Sequence, residues 1–461
     1  MQPETQLNIL ESFASKRRLG PLGMMPVFAL LLAGCGGTPV AITEMSAALS
    51  AELAAEAEDA ANPVDVSGGF KAAVAQAVST NSGYKAALAS EREATSNIGV
   101  AESARRPQLS ANANLGTVRE FGSDGASTSG LTGGITLSQL VFDGGESAGA
   151  INRATAEALG AQAKRAARAN ELALEVARAW IDVWQNAERL RLLRTRTDEM
   201  DTLLGQIERM ATNGMLDRAA LDSARRQIVD IQLEETRLQS DLSDARVRFQ
   251  RYFRQAPGRL SRPAELVSAS AARVQARDWR GAPSLEARAA SVFAARYAVG
   301  EAESAFRPRV RLQTGVRPPV ESGDSTIGNL GLGFDYALLD GGRRVHRLEA
   351  AIARASALEG ELREEQTALE AELEAALTRL EGIDRSVPLV AQKLSLSQSE
   401  AETARSQLAT GQSNLRQLVE AEIETYRAED QQIALQAERL TLLLTIAART
   451  GALGKIIGLE E

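Results

Sequence analysis

Residues 134–145 read Gly-Ile-Thr-Leu-Ser-Gln-Leu-Val-Phe-Asp-Gly-Gly, and residues 335–343 read Asp-Tyr-Ala-Leu-Leu-Asp-Gly-Gly-Arg. Phe142-Asp143-Gly144-Gly145 therefore recurs as Leu339-Asp340-Gly341-Gly342, 197 residues later. Upstream, Ala101-Glu102-Ser103-Ala104-Arg105-Arg106-Pro107 recurs as Ala302-Glu303-Ser304-Ala305-Phe306-Arg307-Pro308, at an offset of 201. Downstream, Ala211-Thr212-Asn213-Gly214 is echoed by Leu408-Ala409-Thr410-Gly411, again at 197. The chain is written twice, and an internal repeat outranks other fold signals. Asp143 to Gly214 and Asp340 to Gly411 are both 71 residues, so the segment between them carries no net insertion. That is expected if its length is set by packing against its own copy. The four-residue difference lies between the Pro and the Asp-Gly-Gly, where loops vary.

Within each half the period changes. Residues 84–105 and 284–306 read as helices that end before a Pro, which disfavours helix at the residue preceding it. Period-two text follows. Leu109, Ala111, Ala113 and Leu115 alternate with Gln108, Ser110, Asn112 and Asn114, and Leu131, Ile135 and Leu137 carry the next strand. In the second copy Val310, Leu312 and Val316 alternate with Arg309, Arg311, Gln313 and Arg317. Leu330, Leu332, Phe334, Tyr336 and Leu338 then share one face. Alternation over about ten residues marks membrane strands, and equally a soluble hairpin with one buried face. Residues 122–130 and 321–325 read as the loops between strands.

The rest is helical. Residues 146–211 and 343–410 each span roughly 100 Å at ~1.5 Å per residue. In the second, Leu362, Gln366, Leu369, Leu373, Ala376, Leu380, Ile383, Val387, Val390, Leu394, Ser397, Ala401, Ala404 and Leu408 form a heptad seam. Pro388 inside it is expected to bend the helix or open one turn. Leu221, Ala224, Ile228, Ile231, Leu238, Leu242, Ala245 and Phe249 continue such a seam on a return helix. Gly214 and Gly411 sit where the long helices must stop and reverse. Trp180 and Trp184, one turn apart, read as packing residues. Each half is thus helix, strand, loop, strand, very long helix, tight turn, helix.

Composition agrees. The 461 residues carry 52 Lys+Arg, 60 Asp+Glu and 4% aromatics, an acidic balance of −8 that argues against nucleic-acid binding. There is one His (His346) and one Cys (Cys35), so a His/Cys metal site, a Cys-His nucleophile and an intrachain disulfide are excluded or nearly so. No GxSxG elbow accompanies His346 and no phosphate loop is present, so the sequence reads as a non-enzyme. A solvated or satisfied His346 with no functional role is the reading adopted.

Lys16, Arg17 and Arg18 precede an apolar run from Leu19 to Ala33 that ends in Leu32-Ala33-Gly34-Cys35. A charged region, a short apolar run and small residues before a Cys read as a lipoprotein signal peptide, residues 1–34, with Cys35 the lipidated first mature residue. The remainder would carry a charge of −9. No later apolar run reaches the ~18 residues of a membrane helix, so a membrane crossing requires a closed β-barrel.

The Ala-rich helix ending in Arg106-Pro107 or Arg307-Pro308, the two registered Asp-Gly-Gly segments and the Gly-centred turns at 214 and 411 resemble the TolC-type outer-membrane efflux and secretion channel family, here in a lipoprotein form. The resemblance covers about residues 68–450. It implies a mostly α fold with a membrane β-barrel, three protomers each giving four strands, and a helical tunnel across the periplasm. It implies a homotrimer in the outer membrane, working with a periplasmic adaptor (a membrane fusion protein) and an inner-membrane ABC or proton-driven pump. No cofactor beyond the lipid on Cys35 is expected. Drug efflux and type I protein secretion both stay open. A periplasmic coiled-coil lipoprotein acting as a tether explains the heptads and Cys35, but not the duplicated alternating segments.

The same resemblance makes Gly214 and Gly411 the adaptor-docking tips. Relatives place acidic residues six and nine positions after the second tip Gly at the periplasmic entrance. Gln417 and Glu420 stand there, with Ala220 and Ser223 in the first copy, so Glu420 alone is assigned to the entrance. The expected organisation is a signal at 1–34, a lipidated linker at 35–67, repeats at 68–253 and 283–450, a connector at 254–282 and a tail at 451–461.

Overall fold

In the computed structural model, residues 42–59, 62–119, 127–212, 218–317, 326–409 and 415–459 are described. They form two units divided after Asn62. The first contains helix α1 (Ile42–Asp59). The second, from Pro63 onward, holds both repeats together.

The first repeat runs α2 (Phe70–Thr80), α3 (Ser82–Ser103), β1 (Gln108–Arg119), β2 (Ser127–Phe142), α4 (Glu146–Thr212) and α5 (Arg218–Phe253). After α6 (Ala269–Arg277), the second runs α7 (Pro283–Ser304), β3 (Arg309–Arg317), β4 (Ile327–Asp335), α8 (Arg343–Ala409) and α9 (Leu415–Arg449), closed by α10 (Ala452–Ile457). The Asn81 side chain accepts from the Gly83 amide at 2.8 Å and so starts α3. α3 and α7 stop two residues short of expectation. Residues before each Pro tighten into turns instead, Arg105 and Arg106 donating to Glu102 and Ser103 carbonyls three residues back.

The four strands form one antiparallel sheet, ordered β1-β2-β3-β4. Leu109 lies opposite Leu137 and Val310 opposite Phe334, the residues 201 and 197 positions further on. The offsets read from sequence thus carry one hairpin's register onto the other. Residues 127–130 belong to β2, pairing with Gly116–Arg119, rather than to the loop expected at 122–130. Ser127-Thr128-Ser129-Gly130 reads as loop by residue type, yet its backbone pairs as strand. In the opposite direction, β4 ends at Asp335, so Tyr336 and Leu338 lie beyond it and are exposed.

The Asp-Gly-Gly motif joins strand to long helix. Asp143 Oδ1 accepts from the Gly145 amide at 3.0 Å and Oδ2 from Ser147 at 2.7 Å. Asp340 takes the Gly342 and Arg344 amides at 3.2 Å each. One carboxylate therefore satisfies helix-start donors that nothing in the helix can pair. Both glycines of each motif have positive φ (68° and 102°, then 67° and 84°), a region that L side chains avoid. Burial pushes the Asp143 carboxyl pKa upward, but the Ser147 and Gly145 hydrogen bonds, aided by Arg105, outweigh it and hold it below the usual value.

α4 and α8 have 67 residues each. Along α8 the seam is the buried face: Leu369, Leu373, Leu380, Ile383, Val390, Ser397, Ala401 and Ala404 are all buried. α8 continues through Pro388 without opening a turn. Only the Asp384 carbonyl loses its helical donor. The α5 seam is buried at Leu238, Leu242, Ala245 and Phe249, while the side chains of Leu221, Ala224 and Ile228 lie outside the described residues.

The thickest core lies midway along the long helices. Trp180, 2% exposed, sits among the rings of Phe70 (5.7 Å), Phe253 (5.8 Å) and Phe249 (6.0 Å). Its indole N–H donates to the Ser261 carbonyl at 3.3 Å. Trp184 is buried beside it. The connector and the tail expected at 254–282 and 451–461 are part of this core, through Val267, Ala272, Ala276, Leu453 and Ile457.

Candidate functional site

Below that core, toward the ends of the long helices, the two coiled pairs α4/α5 and α8/α9 meet where α9 crosses α4. Here the contact is ionic. The Arg189 guanidinium donates to both carboxylate oxygens of Asp430, at 2.6 and 2.9 Å. One heptad on, Arg196 donates to Glu429 at 2.9 Å and to Glu199 at 2.8 Å, and lies 3.7 Å from Glu422. Glu422, only 7% exposed, is also paired with Arg405 of α8. Arg189 and Arg196 are seven residues apart on α4, and Glu422 and Glu429, seven apart on α9, both face Arg196.

Arg196, Glu199, Arg405, Glu422 and Asp430 are among the residues around a cavity of about 1290 Å³ lined by seven acidic and three basic side chains. Burial, with Asp430 and Glu234 adding to it, raises the Tyr426 phenol pKa above its ordinary value, so it remains a neutral donor at working pH. Glu424 is held below the usual carboxylate range, first by its hydrogen bond from Arg427 and then by Lys393. Glu420 lies on the exposed rim of this cavity, two and a half turns from Glu429 toward the start of α9. The structure thus places Glu420 in acidic company, and the Arg189–Asp430 and Arg196–Glu429 ladder beside it. That ladder escaped the sequence reading because charges flanking a heptad seam read as solvated. The matched seven-residue spacing was the signal available.

Of the other assigned residues, Cys35, Gly214 and Gly411 lie outside the described residues. Ala220 and Ser223 are on α5, with side chains outside them too. Gln417 is exposed on the first turn of α9. His346 is exposed and 3.1 Å from Glu349.

At the other end, residues directly opposite one another share a sheet face. Leu109 and Ala111 of β1, Ile135 and Leu137 of β2, Leu312 and Val316 of β3, and Leu330, Leu332 and Phe334 of β4 all lie on one face. Gln108, Ser110, Thr136, Ser138, Arg309, Arg311, Asn329 and Asp335 lie on the other. The apolar face is open: Leu330, Leu332 and Phe334 are each about 70% exposed. No helix among the described residues is long and apolar enough to cross a membrane.

A duplicated hairpin sheet with one apolar face, mounted on paired helices of roughly 100 Å, defines the architecture of long-helix outer-membrane channels. The chain matches the family described as "Outer membrane efflux protein" over residues 73–253 and 280–452, and it belongs to that family. Its fold is shared with solved channels. CusC is 17% identical, with 84% of this chain and 93% of that chain covered and a TM-score of 0.72. The Campylobacter jejuni outer membrane channel CmeC is 13% identical over 82% and 84% (TM-score 0.71). The Vibrio cholerae outer membrane protein VceC is 16% identical over 82% and 95% (TM-score 0.70). No curated protein sequence matches the chain at a significant level.

Proposed function

We propose that this outer-membrane efflux protein is the exit channel of a tripartite export system. It would take substrate from an inner-membrane ABC or proton-driven pump through a periplasmic adaptor, as a homotrimer that spans the outer membrane. The observation that carries this reading is the sheet. Its apolar face would be untenable in water, its other face is polar, and both edge strands are open, so only closure with further copies satisfies the edges in lipid. Threefold assembly gathers three copies of Glu420 and the acidic cavity rim around one axis, and rings of acids favour cations. Single-channel recording of the purified protein in planar bilayers tests both points. Stepwise, cation-preferring conductance is expected, with the preference lowered by Glu420→Gln. A protein that never conducts overturns the channel reading, and unchanged selectivity across a salt series removes Glu420 from the entrance.

The turns at Gly214 and Gly411 are the ends that meet the adaptor in this reading. Gly411→Trp is expected to lower export at unchanged trimer yield; equal loss of both would leave these glycines a folding role only. Cys35 carries the lipid and tethers the N-terminus beside the barrel. Cys35→Ser is expected to abolish fatty-acid labelling while most trimer persists, and labelling that survives the substitution overturns the assignment.

A further inference from the structure

We propose that the lumen face of β3 carries an anion-binding belt, in which Arg311 and Arg317 of each copy hold the carboxylate, sulfonate or phosphate group of a solute leaving the channel. The belt rests on the closed barrel of the preceding reading and names the chemistry of what passes through it. With the apolar face of the sheet toward lipid, the polar face lines the lumen. On that face β3 presents Arg309, Arg311, Gln313 and Arg317, with Gly333 of β4 opposite Arg311, Gly331 opposite Gln313 and Ile327 opposite Arg317. On its other side β2 sets Leu140 beside Arg311, Ser138 beside Gln313 and Thr136 beside Gly315. Apart from Leu140 and Ile327 these strand neighbours are short, so the arginines are the longest side chains of this wall.

The three arginines are not alike. Arg309 is paired with Glu146 at the start of α4 and so ties the sheet to the long helix. Arg311 and Arg317 are exposed, and among the described residues neither has an ion-pair partner. Asp335, the acidic residue opposite Arg309, reaches neither of them. Nor does the hairpin need charge at these places. In the first repeat, 201 positions earlier, Gln108, Ser110 and Gly116 stand where Arg309, Arg311 and Arg317 stand in the second. β1 and β2 pair through them in the matching register. The strand folds with neutral residues there, so the free guanidinium groups are an addition to the wall and not part of its framework.

Assembly turns each position into a ring. Copies around one axis place their Arg311 side chains at one level and their Arg317 side chains ~20 Å further along the strands. A water-filled lumen with low-dielectric walls focuses the field of like charges and raises the local concentration of the opposite ion. Rings of arginine favour anions, and the planar guanidinium fork meets carboxylate or phosphate oxygens in two parallel hydrogen bonds. The belt stands out against a chain of net charge −8 and against the seven acids of the cavity at the helical end. The two ends therefore act as opposed filters in series, the helical end favouring cations and the sheet favouring anionic groups.

Bilayer recording of the full-length protein, with tripolyphosphate as the probe, tests the belt. Protein added from one chamber keeps its long polar helices in that chamber, so the far chamber faces the barrel mouth. Tripolyphosphate in the far chamber is expected to block the current. Arg311→Gln is expected to raise the blocking concentration about tenfold, as one ring of charge-assisted contacts is lost. It is also expected to increase cation preference, a shift opposite in sign to that of Glu420→Gln. Arg311→Lys, which keeps the charge without the fork, is expected to fall between wild type and Arg311→Gln. Arg317→Gln gives an independent reading should Arg311→Gln not insert. Three results overturn the belt and leave the channel standing: no block of wild type, block unchanged in both glutamine variants, or block as strong from the helix chamber as from the far one. A wild-type protein that never conducts overturns the channel reading instead.

Discussion

Trp180→Ala is expected to destabilise the protein by about 3–5 kcal/mol, the range for emptying a large aromatic site in a packed core. Three ring neighbours lose their common partner at once: Phe70 from α2, and Phe249 and Phe253 from α5. The Ser261 carbonyl also loses its indole donor. The site sits among three helices and the connector, so neighbouring elements cannot collapse into the void without shifting long helices. Phe249 and Phe253 stack on each other at 4.1 Å, which braces them further against inward movement. Thermal unfolding of detergent-solubilised protein followed at the helix circular-dichroism band reads the effect. Trp180→Phe should recover most of the loss. A melting midpoint unmoved by the alanine variant would show that the aromatic cluster does not hold the coils together.

Arg196→Ala is expected to loosen the lower crossing of α4 and α9, raising single-channel conductance several-fold at a cost in stability of about 2–3 kcal/mol. Breaking one partner of a fully buried ion pair costs about 3–5 kcal/mol, and partial water access to Arg196 brings the figure down. The guanidinium serves three carboxylates, of which Glu422 is nearly inaccessible. Without it, Glu429 and Glu422 repel each other across two helix turns, with Arg405 left as the partner of Glu422. In the channel proposed above this crossing borders the entrance, and loosening it widens the path. Bilayer recordings of wild type and variant at equal salt decide the matter: conductance unchanged, with stability lowered, would make the ladder a fastening and not a constriction.

The strands, long helices and seam of this protein were legible because each repeats a local rule many times and each occurs twice. Asp143 and Asp340 announced strand-to-helix junctions through residue types that only a capped turn with positive φ requires. The α8 seam from Leu362 to Ala404 could be counted. By contrast, α6 and α10 are 9 and 6 residues long, too short for a period to emerge, and they are buried through a few Ala and Leu side chains supplied by distant partners. The domain boundary behaved similarly. Val64 donates its amide to the Phe253 carbonyl at 3.0 Å, so the globular unit begins before the expected repeat at 68, through one backbone contact with a residue 189 positions away. Of the two outcomes expected at Pro388, the opened turn does not occur, because one missing hydrogen bond among those of a 67-residue helix is outweighed by the packing on either side. The entrance assignment stayed narrow for a different reason: a single position, Glu420, carried it, whereas the charges that make the cavity acidic come from α4 and α5 as well as from α9.

The matched length of α4 and α8 bears on how such a protein can change over evolutionary time. Adding one residue to either helix alone would advance its far end by about 1.5 Å and turn everything beyond by about 100°, rotating the seam off its partner. Only additions of whole heptads keep the seam in phase. They must enter both ascending and both descending helices together if the two hairpin ends are to stay level. The reach of the paired helices is therefore quantised, in steps of about 10.5 Å per heptad. A lineage changing the length of this protein has to do so by coordinated fourfold insertion or deletion, while the sheet and the mid-level core can be left untouched.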